Sequence, residues 1–74
     1  MSEEKNLNRL RIGQAIAAIR KEKGLSVRQL AELSGVTFQN INKIELGKYS
    51  VGIDVLTKIT DALDCEVTIT NKGG

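Results

Sequence analysis

Within the stretch LSVRQLAELSGVTFQNINKIELGK, from Leu25 to Lys48, a small residue at Ala31 is followed four positions on by Gly35 and, six after that, by the β-branched Ile41. That spacing leaves the backbone few options. Two helices crossing through a tight turn need a small side chain where they approach. They also need a stop that tolerates the left-handed conformation, and an apolar plug in the angle between them. Ala31, Gly35 and Ile41 supply these in order. Ser26, with Gln29 three residues later, forms a capping-box pattern for the earlier helix, and Leu30 and Leu33 are expected to face inward. Thr37 is expected to cap the later helix, with Ile41 and Ile44 inside and Gly47 as its stop.

Flanking segments supply two more helices. Ile12, Ile16 and Ile19, with Ala15 between, repeat at helical spacing after a candidate cap at Asn8 and before a terminator at Gly24. Beyond a loop at 48–52, Ile53, Leu56, Ile59, Ala62 and Leu63 keep the same three-to-four spacing. The expectation is an all-α domain over 9–63, with helices at about 9–23, 27–34, 38–46 and 53–63 around one core. Residues 1–8 read as a flexible arm and 72–74 as a disordered tail. Cys65, Val67 and Ile69 alternate with Glu66, Thr68 and Thr70, so 65–70 reads as a β-strand within a segment 64–71. A single strand has no partner for its ladder.

Composition narrows the chemistry. Phe38 and Tyr49 are the only aromatics and proline is absent, so the core must be built from Leu, Ile, Val and Ala. One cysteine and no histidine exclude an internal disulfide and argue against structural zinc, which fits a reducing cytoplasm. No apolar run approaches the roughly 20 residues of a membrane span, and the first ten residues lack a signal-peptide core. There is no nucleophile–base pair, phosphate-cradling glycine loop or metal-ligand cluster. The chain is therefore expected not to be an enzyme, and to need no cofactor and no metal.

Charge is uneven. Residues 1–50 hold nine Lys and Arg against five Asp and Glu, whereas 51–74 hold two against four. The N-terminal two-thirds is thus the part suited to a polyanion. A helix-turn-helix commonly serves to place its second helix in the major groove of double-stranded DNA, and here that helix would project Thr37, Phe38, Gln39, Asn42 and Lys43 toward base edges. Gln39 and Asn42 carry the paired donor and acceptor that suit adenine, Lys43 can donate to guanine, and Phe38 can meet a thymine methyl. Arg28 and Gln29 near the start of the earlier helix, and Lys48, Tyr49 and Ser50 after the later one, are the candidates for phosphate contact. On composition alone the same residues would form an ordinary wet helix face.

IRKEKGLS at 19–26, QLAELSGVT at 29–37 and NINKIELGK at 40–48 together resemble the lambda-repressor-like, Cro-type helix-turn-helix family, over Ile12 to Leu63. The resemblance implies a structural ion pair between Arg20 and Glu45, which would neutralise a carboxylate that otherwise repels phosphates. It also marks departures. Val27 stands where the family commonly has a phosphate-touching glutamine, with Arg28 as the substitute. Ser34 replaces an apolar core residue, so its hydroxyl is expected to bond the carbonyl four residues earlier. The usual loop proline is absent around Val51 and Gly52.

A strand after the fourth helix resembles the antitoxin branch of the family, in some of which terminal strands pair across a dimer axis. Self-pairing would also satisfy the unmatched backbone groups, so a homodimer with Cys65, Val67 and Ile69 at its interface is expected. The sequence therefore reads as a DNA-binding regulator, most simply a homodimeric repressor on a near-palindromic operator. The alternative is an antitoxin or adaptor whose main role is to bind a toxin or other protein partner.

Overall fold

The computed structural model describes residues 2–69, with 2–6 as backbone alone. Helices run over Ser2–Glu22 (α1), Val27–Ser34 (α2), Phe38–Glu45 (α3) and Ile53–Ala62 (α4). Each is followed within two residues by a backbone in the left-handed region, at Gly24, Gly35, Gly47 and Asp64. At Gly35 this conformation lets the amide return to the Ala31 carbonyl at 2.9 Å, stopping α2 and turning the chain toward α3. Asp64 adopts it at φ 57°, which a short polar side chain tolerates better than an apolar one.

The core is Ile16, Leu30, Val36, Ile41, Ile44, Ile59 and Leu63, contributed by all four helices and the α2–α3 turn. Burying a side chain of this size stabilises the fold by about 1.5–3 kcal/mol. α1 crosses α3, while α2 packs on both α3 and α4. At the α1–α3 crossing the backbones themselves touch. A Cβ added to the buried Gly13 would lie 2.1 Å from the Ile44 carbonyl oxygen, and one added to Gly47 would lie 2.9 Å from the Leu10 Cα. The end of α3 is thus seated on the stretch of α1 from Leu10 to Gly13.

Several expectations are corrected. The first helix begins at Ser2, so the arm expected over 1–8 is helical from Ser2 on. Asn8 lies within it, its Oδ1 accepting from Arg11 Nη2 at 2.7 Å. No glycine or proline interrupts this stretch, and once the packed part has nucleated each further residue adds a hydrogen bond. Leu33 is 61% exposed and Ile53 62% exposed, so neither faces inward as expected. In α2 the inner stripe is Val27, Leu30, Ala31 and Ser34, and Leu33 lies roughly 110° from its centre. Ile53 lies about 120° around α4 from Ile59.

No strand forms at 65–69. The Cys65 amide is already committed, donating to the Thr60 carbonyl at 2.8 Å as part of the α4 cap. Cys65 packs on the core, but Val67 is 45% and Ile69 96% exposed. Thr70 and the tail expected at 72–74 lie outside the described residues. No described helix is long and apolar enough to cross a membrane.

Candidate nucleic-acid interface

The outer side of α3 is organised by what its inner side must do. Ile41 and Ile44 are buried, which leaves Gln39, Asn42 and Lys43 exposed on the opposite face. Thr37 is spent at the start of the helix, where its hydroxyl accepts from the Asn40 amide at 3.3 Å. Its oxygen accepts from the backbone there and keeps its O–H as a donor. Phe38, the first residue of α3, is half-buried beneath the guanidinium of Arg28, whose carbon sits 4.6 Å from the ring centroid.

The candidates for phosphate contact fall at the two ends of this face. Ser26 and Gln29 form the full capping box: the Gln29 amide donates to Ser26 Oγ at 3.0 Å and Gln29 Oε1 accepts from the Ser26 amide at 2.8 Å. That commits the Gln29 carbonyl and leaves its NH2 group as a donor. At the far end Lys48, Tyr49 and Ser50 are exposed on the loop after α3. The Lys48 amide returns to the Lys43 carbonyl at 2.9 Å and the Gly47 amide to that of Ile44 at 3.0 Å, tying this loop to the helix it follows.

Beneath the exposed face lies an ion pair. Arg20 Nε donates to Glu45 Oε2 at 2.6 Å and Nη2 to Oε1 at 3.0 Å, with side chains only 10% and 9% exposed. The remaining nitrogen, Nη1, donates to the Leu25 carbonyl at 2.7 Å. One side chain thus joins the end of α1, the α1–α2 turn and the last residue of α3. The hydrogen bond to Glu45 raises the Arg20 pKa above its ordinary value, against the opposing cost of burial. Because the folded-state value is the higher one, this contribution is complete throughout the neutral range and fades only in strong alkali. Ser34 differs in detail from expectation: its hydroxyl reaches the Ala31 carbonyl, three residues back, at 3.5 Å and accepts from the Val36 amide at 3.2 Å.

Three features escaped the reading of the sequence. Gly13 seats α3 on α1, and the signal left unread was a glycine inside a helical pattern, which costs about 1 kcal/mol relative to alanine. The Arg28–Phe38 stack carried no sequence signal, because it joins residues on separate helices. The third is an open cleft of about 340 Å³ lined by Asn8, Arg9 and Ile12 of α1, Ile44 of α3, and Tyr49, Ser50 and Val51 of the following loop. It brings Arg9 beside two of the candidates for phosphate contact. Among the described residues no group of acidic, cysteine or histidine side chains is placed to hold a metal ion.

Four helices with a tight α2–α3 turn and an exposed polar face on α3 define a helix-turn-helix domain. The model of the HTH_3 helix-turn-helix family matches residues 16–69, and the chain belongs to that family. It is 43% identical over 53 residues to an uncharacterized HTH-type transcriptional regulator of Rickettsia prowazekii, covering 72% of this chain and 41% of that protein. It is 45% identical over 47 residues to the HTH-type transcriptional regulator PuuR of Escherichia coli, covering 64% of this chain and 25% of that one. The chain thus spans less than half the length of either relative. Among solved structures it is similar to the restriction-modification controller protein C.AhdI of Aeromonas hydrophila. The two share 33% identity and a TM-score of 0.79, over 81% of this chain and 91% of that one.

Proposed function

We propose that the chain is a sequence-specific DNA-binding transcriptional regulator that inserts α3 into the major groove. The observation that carries this reading is the division of α3 itself. Its fold contacts run through Ile41, Ile44 and Glu45, and this frees Gln39, Asn42 and Lys43 to present donors and acceptors outward. Neutralising Glu45 with Arg20 removes the one carboxylate on α3 from the balance of charge that phosphates would meet. Arg28 and Gln29 at one end, and Lys48, Tyr49 and Ser50 at the other, are suited to flanking phosphates and would set the helix in register. The regulators and the controller protein among its relatives support the same reading.

The protein acts in this reading as a homodimeric repressor, occluding a near-palindromic operator. Cys65 roots the C-terminal segment to the core, and the exposed Val67 and Ile69 supply apolar surface that a second copy would cover, with strand pairing arising only on association. The domain measures 34 × 27 × 22 Å, so two copies side by side suit recognition helices spaced by one DNA turn of about 34 Å.

Selection of bound duplexes from a randomised pool tests the proposal. The parent should enrich a site with two inverted halves about ten base pairs apart. Gln39→Ala and Asn42→Ala should change the bases recovered. Lys48→Ala should weaken all sequences alike and lower the salt slope by about one. Failure of the parent to enrich any sequence would overturn the DNA reading and leave the partner-protein alternative in its place.

A further inference from the structure

Resting on the DNA-binding reading, we propose that Phe38 does not read a base but is the platform that aims Arg28 at a backbone phosphate. The guanidinium carbon of Arg28 stands 4.6 Å from the centroid of the Phe38 ring. A guanidinium centred over a ring is held there by its charge and need not spend all of its N–H groups, so a phosphate can take two of those that remain together. Among the described residues no carboxylate or carbonyl takes them. The arrangement also spans two elements. Arg28 is the second residue of α2 and Phe38 the first of α3, so the ring couples a cation on one helix to the start of the helix that would enter the groove.

Both halves of the pair gain from it. A free arginine side chain loses considerable rotamer entropy when a phosphate fixes it, and a side chain already held over a ring has less to lose. Phe38, with one ring face covered by the cation, is half-buried and has less surface to offer a thymine methyl. Val27, one residue before Arg28, has no hydrogen-bonding side chain, so beside the neutral NH2 group of Gln29 the arginine is the one cation at the start of α2 equipped for an anion.

The test is a double-mutant cycle on the duplex enriched by the parent protein, followed by fluorescence anisotropy across a range of salt. Phe38→Leu keeps apolar bulk but removes the π face; it should weaken binding roughly two- to tenfold, equally at every operator position, and flatten the salt slope as Arg28→Ala does. In an Arg28→Ala background it should add little, and Phe38→Tyr, which restores the π face, should recover affinity. Replacing each operator thymine by uracil should leave the Phe38→Leu penalty unchanged, because no methyl is being read. In the free protein, the Arg28 side-chain protons should resonate upfield under the ring current and return to ordinary positions in Phe38→Leu. Additive penalties, or a penalty that vanishes at one uracil, would overturn the platform role while leaving DNA binding intact. Absence of enrichment by the parent would overturn both.

Discussion

From Ser26 to Lys48 the chain meets its own needs: the start of α2 is closed by Ser26 and Gln29, its end by Gly35, the start of α3 by Thr37, and its end by the amides of Gly47 and Lys48. After α4 the situation reverses. Among the described residues Cys65 is the last whose amide returns to a backbone carbonyl, and the apolar side chains that follow turn progressively outward, ending with Ile69 almost fully exposed. The first region shows what local sequence can specify unaided. The second shows an alternating pattern with no partner among the described residues.

The largest effect expected from breaking this contrast is at Gly13. Gly13→Ala would drive a Cβ into the Ile44 carbonyl, where backbone must yield, so α3 should lose its seat at a cost of about 3 kcal/mol or more. Gln14→Ala, at the exposed neighbouring position, should leave stability unchanged or raise it slightly. Denaturant unfolding of the two variants checks this, and equal midpoints would show that α1 does not set the position of α3.

Glu45→Ala comes next. It would leave the Arg20 guanidinium mostly buried with only the Leu25 carbonyl as partner, a loss of about 3 kcal/mol and a fall in melting temperature of about 15 °C. A melting temperature within about 2 °C of the parent would show that the α2–α3 unit does not depend on this brace. The smallest effect on stability is expected at the other end of the comparison. A chain ending at Glu66 keeps the α4 cap and the Cys65 contact, so the melting of the monomer should hardly move, while sedimentation should report loss of the proposed dimer. A truncated protein that sediments as a dimer would place the interface elsewhere.

The same contrast explains what the sequence revealed. The bounds of α2 agree with expectation to the residue, because Ser26, Gln29 and Gly35 act within a few positions of one another. α3 and α4 each end one residue earlier than expected, a difference within the ordinary fraying of helix ends. α1 extends well beyond its expected start, because a polar helix can propagate from a packed one without an apolar stripe to announce it. Leu33 and Ile53 were misplaced because three-residue spacing is not a full turn, and in short helices the drift carries a leucine or isoleucine off the inner face. The Arg20–Glu45 contact was legible only through resemblance, since nothing local joins residues 25 positions apart. Gln39, Asn42 and Lys43 lie on the exposed face where their spacing puts them, whereas the stacking of Phe38 depends on how α2 and α3 meet.

The direct backbone contact at Gly13 bears on how such a protein changes through time. Because α3 is held through Ile41, Ile44, Glu45 and its own carbonyls, its outward residues carry almost none of the fold. Single substitutions at positions 39, 42 and 43 are therefore expected to be nearly free of a stability penalty, so under the proposed DNA-reading role a lineage could change what this face recognises one step at a time without passing through unfolded intermediates. Position 38 is the exception: a change there disturbs an arginine on another helix, which makes it the slowest part of the surface to drift.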